Sequence, residues 1–447
     1  MNFTDLNLGK SILNALADLE IAQPTTIQAK TFSPIMAGRD VVGIAQTGTG
    51  KTFAYLLPSL QQWKFTKSAY PQILVVVPTR ELVAQVVEAA KALTKYMNVE
   101  VVGVYGGTNI RTQKAEVEVG VDVLVGTPGR LVDLMADGVL RTKKLRQLII
   151  DEVDEMLNLG FRTQLKNILE YLPKRRQHLM FSATITEEVE GVIQEFTDYY
   201  ERIEAAPSGA PLENIEQSYF PVPNFNTKAN LLEWLLQQHP EMKKMLIFAK
   251  SKKMADALYE RLEPNFSEKL GIIHSSKSQN NRFDTVNKFQ DGTYRCLVAT
   301  DIIARGLDVS GVTHVLNFDL PDNPEKYIHR IGRTGRAEEK GISFAFVSKE
   351  DQAYLEAIES LMNIAVKELP LPKDLEYSDE LIQLEKPNPY VPYNEHKNRV
   401  YKPSGPAFHE KKEKNKKVNK KIRRAEAMQL KYGKPQTRGD KNKRRKK

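Results

Sequence analysis

The chain of 447 residues predicts an α/β fold: two tandem domains, each a parallel sheet flanked by helices, followed by a disordered basic C-terminal tail. Three observations lead there. Short β-branched runs at 41–44, 73–77, 121–125, 148–150 and 178–181 alternate with helix-compatible stretches of mixed polarity. Such alternation is the pattern of a parallel sheet wrapped by helices. A second alternating set occupies 245–249, 271–273, 296–299, 314–318 and 342–347, and a small, turn-rich segment at 204–211 separates the two sets. Beyond about Leu369 the apolar periodicity fades into a proline-rich and then lysine-rich end. The expected boundaries are 1–203 for the first domain, 204–211 for a linker, 212–370 for the second domain and 371–447 for the tail.

Composition narrows the class. The chain is 41% hydrophobic and 27% charged, ordinary values for a globular protein. No run approaches the length of a membrane span, and Met1-Asn2-Phe3-Thr4-Asp5 lacks the basic-then-apolar opening of a secretory signal. A single cysteine, Cys296, excludes disulfides and a multi-cysteine metal site and fits a reducing cytoplasm. The net charge of +9 is unevenly spread: residues 411–447 hold 18 Lys/Arg against 3 Asp/Glu, a local +15, which leaves residues 1–410 at −6. Any polyanion contact in the body therefore needs placed residues rather than bulk attraction.

Taken in chain order, the first chemical motif is Ala45-Gln46-Thr47-Gly48-Thr49-Gly50-Lys51-Thr52, directly after the strand at 41–44. Its glycines let backbone N–H groups turn inward around phosphates, Lys51 neutralises the terminal phosphate oxygens, and the Thr52 hydroxyl suits Mg²⁺. A triphosphate-gripping loop needs a carboxylate at the end of a neighbouring strand, and Asp151-Glu152-Val153-Asp154 supplies it after 148–150. Asp151 is the expected Mg²⁺ ligand, and Glu152 the group that orients or deprotonates an attacking water.

With these two motifs in order, the chain resembles a DEAD-box ATP-dependent RNA helicase of bacterial type, with Val153 in the third position of the name-giving tetrad. The resemblance spans roughly residues 3–347. It implies tandem RecA-like domains, ATP and Mg²⁺ as nucleotide and metal, and RNA as the partner. Pro24-Thr25-Thr26-Ile27-Gln28 resembles the adenine-reading motif, with Gln28 as reader; Phe3 stands at the upstream aromatic position, either stacking on the base or serving as a core aromatic. The usual Gly-aromatic opening of that motif is Glu20-Ile21 here. Ser182-Ala183-Thr184 matches the coupling tripeptide, whose hydroxyls latch to Asp154.

In the second domain, His329-Arg330-Ile331-Gly332-Arg333-Thr334-Gly335-Arg336 implies two arginine fingers, Arg333 and Arg336, delivered to a γ-phosphate, with His329 in a coupling role. Thr300 to Asp308 resembles the fifth motif: Thr300 on an RNA phosphate, Arg305 at the domain interface, Asp308 on the ribose. Further RNA contacts are implied for Pro78, Thr79, Arg80, Gly106, Gly107, Thr127, Pro128, Gly129 and Arg130, and for 248–250 and 279–282. His274, in a place where the family often shows His-Gly, reads as structural.

The function so implied is an RNA-dependent ATPase that locally unwinds or remodels RNA duplexes or RNA–protein complexes by closing two domains. Two alternatives stay open: an ATP-gated RNA clamp or scaffold with low turnover, recruiting ribosomal or RNA-decay proteins, and a related DNA-directed ATPase. The tail reads either as a sequence-tolerant electrostatic anchor on RNA or as a solubilising end. Some ~10 single-strand phosphate contacts would give a log–log salt slope near −7.

Overall fold

The computed structural model describes residues 2–45, 48–66, 68, 70–205, 214–301, 311–335 and 340–386. Gln46, Thr47, Arg305, Asp308, Arg336 and residues 387–447 lie outside the described residues.

Among the described residues the first lobe holds seven strands: β1 (Val41–Ile44), β2 (Ile73–Val76), β3 (Val101–Val104), β4 (Val123–Gly126), β5 (Gln147–Ile150), β6 (Gln177–Ser182) and β7 (Glu201–Glu204). They lie in the order β3-β4-β2-β5-β6-β1-β7, and every pairing is parallel. Because successive strand residues face opposite sides, Val41, Val75, Ile149 and Leu179 join one core while Val42, Leu74, Leu148 and Met180 join the other. Gly43 has no room for a side chain: a Cβ there would sit 2.5 Å from the Phe181 ring on the neighbouring strand.

The second lobe repeats the plan. Its strands β8 (Ile215–Pro221), β9 (Met245–Phe248), β10 (Leu270–Ile273), β11 (Cys296–Ala299), β12 (His314–Asn317), β13 (Gly341–Val347) and β14 (Lys367–Glu368) run parallel in the order β10-β11-β9-β12-β13-β8-β14. In an all-parallel sheet the loops that follow the strands share one edge, so the motifs read from sequence gather there.

Two boundaries move. Glu204, assigned to the linker, is the last residue of β7 and pairs with Ile44. With its sequence Glu-Arg-Ile-Glu and one buried residue, that edge strand carries too little apolar signal to be read as one. The larger correction concerns the tail: residues 371–386, expected to be disordered, form a strap on the second lobe. Leu369, Leu371, Leu375 and Ile382 pack on its core. The strap's backbone carbonyls at Glu376 and Glu380 accept hydrogen bonds from Asn230 and Asn226 of helix Phe225–Gln238, and Trp234 Nε1 donates to Asp374 at 3.1 Å. Its apolar residues follow no helix or strand period, and side chains satisfy its backbone, so periodicity does not reveal it.

Candidate active site

β1 runs into the glycine loop through Ala45, whose N–H donates to Ser182 O at 3.1 Å. Gly48 and Gly50 take φ values of 85° and 90°, the left-handed region that glycine enters without strain. Helix Lys51–Gln62 begins at once, so its unpaired N–H groups face the loop. Lys51 is 6% exposed, and among the described residues its Nζ has no hydrogen-bond partner. A buried ammonium without a partner is costly unless an anion comes to it. Gln28 buttresses the same loop: its Nε2 donates to Gly50 O at 3.1 Å and its Oε1 accepts from Thr25 N at 3.0 Å. Each end of that amide keeps one further hydrogen or lone pair, as base recognition needs.

Three carboxylates converge opposite Lys51. Asp151 follows β5 and accepts from Tyr55 Oη at 3.1 Å and from Glu152 N at 2.9 Å. Burial pushes its carboxyl above the usual range, with Lys51 and the Tyr55 bond opposing. Glu152 is 8% exposed and sits at φ 54°, a strained conformation for a non-glycine residue. Burial raises its carboxyl to about 8; Lys51 and Arg333 pull against that rise, while Asp151 and Asp154 add to it. Asp154 behaves differently. Burial works to raise it, but His329, Lys51 and the Thr184 bonds outweigh burial and hold it below the usual range. Its Oδ2 accepts from Thr184 Oγ1 and Thr184 N, both at 3.0 Å, and from Ala183 N at 3.2 Å. Ser182 Oγ accepts from Asp154 N at 3.4 Å and donates to Thr184 O at 2.8 Å.

A cavity of about 380 Å³ opens over these groups. Gln28, Gly50, Lys51, Thr52, Asp151 and Glu152 line it from the first lobe, and Arg333 lines it from the second. His329, on helix Pro324–Ile331, brings Nε2 to 3.8 Å from Asp154 Oδ2. The site is therefore composite.

The lobes also meet along the loops assigned to RNA. Arg80 donates to Gln279 Oε1 at 3.3 Å, Gln279 Nε2 donates to Glu81 at 3.2 Å, and Arg282 forms a buried ion pair with Glu81. Gly107 lies under Arg80, whose guanidinium would overlap a Cβ there. Thr79 caps helix Arg80–Leu93 by accepting from Leu82 N. Arg130, at the start of helix Pro128–Ala136, is buried and donates to Thr108 O at 3.0 Å, holding the Gly106-Gly107 loop rather than reaching solvent. Thr127 and Pro128 are buried, and Gly129 has open space around it. Pro78 is buried after β2, and Thr300 is buried after β11.

Two expectations meet a different arrangement. Phe3 is 4% exposed within the first lobe's core and does not line the cavity; of its two readings, the structure places it in the second, as a core aromatic. Ile21 and Phe53 form the apolar wall instead. Ile21 holds the slot of the missing aromatic, which was the available signal. Arg330 was passed over inside its octet. It is almost wholly buried, donates to Asp301 Oδ2 at 2.9 Å, to Asn317 Oδ1 at 3.0 Å and to Asp319 O at 2.7 Å, and lies 5.0 Å from the Phe248 ring centre. It thereby fastens the Thr300 and 248–250 loops to helix Pro324–Ile331, which leads into Arg333. His274 is structural, with Nε2 at 2.9 Å from Asp256.

Comparison with known proteins agrees with this geometry. Residues 25–192 match the DEAD/DEAH box helicase model, and residues 227–338 match the helicase conserved C-terminal domain. A DEAD-box ATP-dependent RNA helicase CshA of Geobacillus kaustophilus is 39% identical over 80% of this chain and 76% of its own length. The chain belongs to the DEAD-box family of ATP-dependent RNA helicases. The helicase DbpA of Bacillus subtilis is 34% identical over 84% of this chain and 78% of its own. Among solved DEAD-box helicases, S. cerevisiae Dbp5 bound to RNA and ADP BeF3 aligns with TM-score 0.76 at 28% identity, covering 82% of this chain and 95% of that one. Mss116p bound to ssRNA and AMP-PNP aligns at 0.75 and 29%, covering 82% and 78%. Two RecA-like lobes in tandem are thus the family's frame and this chain's.

Proposed function

We propose that this helicase hydrolyses ATP in the composite cavity when RNA and nucleotide together hold its lobes in contact, and that closure locally melts or remodels RNA duplexes or RNA–protein complexes. One observation carries the reading. Arg333 of the second lobe lines the same cavity as Lys51, Asp151 and Glu152 of the first.

Lys51 and Arg333 supply positive charge on opposite sides of a terminal phosphate, which stabilises the charge that spreads over its oxygens during transfer. Glu152 aims a water in line with the leaving phosphate and takes its proton. Both cations favour the ionised form of Glu152, so the arrival of Arg333 also readies the base. Gln28 reads adenine with the free hydrogen and lone pair of its amide, between Ile21 and Phe53. Buried carboxylate charge exceeds the single ammonium of Lys51 here, which suits a divalent cation that Thr52 and Asp151 would hold. Such a cation, Mg²⁺ by the oxygen character of its donors, supplies screening of phosphate charge.

Arg80, Gly106, Gly107 and Thr300 contact RNA through sugar and phosphate, so recognition tolerates sequence. Asp154, with its bonds to Thr184 and its approach to His329, ties nucleotide state to closure. Arg336, Asp308 and Arg305, outside the described residues, complete finger, ribose and interface roles, and the basic tail anchors RNA in a cytoplasmic setting, beside ribosomal or RNA-decay proteins. Among the described residues no helix is long and apolar enough to cross a membrane.

Steady-state ATPase measurements with single-stranded RNA, single-stranded DNA and no nucleic acid test the proposal. Stimulation by RNA alone is expected. Equal stimulation by DNA would favour a DNA-directed ATPase, and tight RNA binding with no stimulated turnover would favour a clamp.

A further inference from the structure

The opposite edge of the first lobe, where the strands begin, carries a cluster of cations that the composite site does not use. The loop before β5 presents Arg141, Lys143, Lys144 and Arg146, and the loop before β6 presents Lys174 and Arg175; all six are exposed. β5 and β6 are neighbours in register, Gln147 opposite Gln177, so the two loops lie side by side. Neighbouring strands run about 4.8 Å apart, which makes this one continuous patch.

Four carboxylates at this edge are already engaged. Asp40 holds the His178 ring at 2.9 Å, Glu201 holds Arg39 at 2.9 Å, Asp137 holds Lys114 at 2.7 Å, and Asp122 accepts from Trp63 Nε1. Among the described residues none of the six cations has an ion-pair partner. Two tyrosines interleave with them: Tyr70, whose hydroxyl accepts from Arg141 at 3.1 Å with the guanidinium over its ring, and Tyr171, 44% exposed. The body of the chain is net negative, so this concentration is local and does not reflect a generally basic surface.

We infer that this edge is a second nucleic-acid surface, which grips the phosphate backbone of RNA outside the cleft. The inference rests on the RNA reading above. Closely spaced unpaired Lys and Arg with aromatic rings suit a polyanion whose charges repeat along a chain; base edges are not needed. Each strand is at least four residues long, so the patch stands roughly 13 Å or more from the strand ends that build the cleft. A short strand filling the cleft does not reach it, whereas a long or folded RNA does. The patch would keep a structured substrate attached after the cleft opens.

The test uses the full chain and two variants, Lys143→Gln/Lys144→Gln and Lys174→Gln/Arg175→Gln. Turnover stimulated by a short single strand reports the composite site and the fold, and it should match the parent in both. Affinity for a long, structured RNA should fall roughly tenfold at moderate salt, and the log–log salt slope should become shallower by about 2 for each pair of charges removed. Parental affinity and slope in both variants would overturn the inference, including the case where the variants lose an acidic protein partner instead. Failure of RNA to stimulate the parent would strike the proposed function itself and is read separately.

Discussion

Glu20 takes φ 56°, in the left-handed region, at the place where the family's motif opens with glycine. A side chain there costs about 1–2 kcal/mol of local strain. Glycine relieves it while losing about 0.5–1 kcal/mol to greater freedom in the unfolded chain. Glu20→Gly is therefore expected to raise stability by about 0.5–1 kcal/mol, seen as a higher thermal midpoint. A lower midpoint would show that the exposed Glu20 side chain contributes more than its backbone costs. At this scale much of the site was legible. Lys51, Asp151 and Glu152 declare themselves by spacing, because phosphate chemistry demands those types after those strands, whereas the roles of Asp154 and Arg333 follow from the resemblance to the family. Ile21 and Phe53 do not, since an apolar wall can be built from any hydrophobic residue. Arg330 is hidden for another reason: its partners Asp301, Asn317 and Asp319 come from three separate segments, and only the folded sheet brings them together.

Among elements, the strap at 371–386 departs furthest from what the sequence suggests. Leu375 is buried, and Glu385 accepts from the backbone N–H of Phe225 at the start of helix Phe225–Gln238. Removing residues 371–447 should destabilise the second lobe by about 1.5–3 kcal/mol from the loss of Leu375 burial alone. Removing only 387–447 should leave its denaturant midpoint unchanged. If both truncations unfolded at the same denaturant concentration, the strap would be an ornament on the lobe. Ten of the fourteen strands among the described residues were legible as β-branched runs. β7 and β14 are edge strands of mostly charged residues and β8 mixes polar with aromatic positions, whereas β3, Val-Val-Gly-Val, matches β1 in length and glycine position and nothing in its composition sets it apart. Edge strands need only one partner and one buried face, so hydrophobicity marks them weakly.

For the whole molecule, the decisive feature is a meeting of lobes that are far apart in sequence. Glu81 and Arg282 form one side of that meeting, and Asp154 and His329 the other. Sequence order names the parts of both but cannot show that loops reserved for RNA also bond to each other across the cleft. Glu81 and Arg282 are buried, so each depends on the other to offset its desolvation. In the proposed cycle, lobe contact makes two sites at once, one for phosphate and one for RNA, and couples their occupancy.

RNA-stimulated ATP hydrolysis by the full chain carrying Arg333→Gln, measured beside nucleotide binding by the same variant, tests this account most directly. Turnover should fall roughly a thousandfold or more, while the first lobe still binds nucleotide. Turnover close to the parent's would mean that the second lobe contributes nothing to the reacting phosphate, and would contradict the composite site.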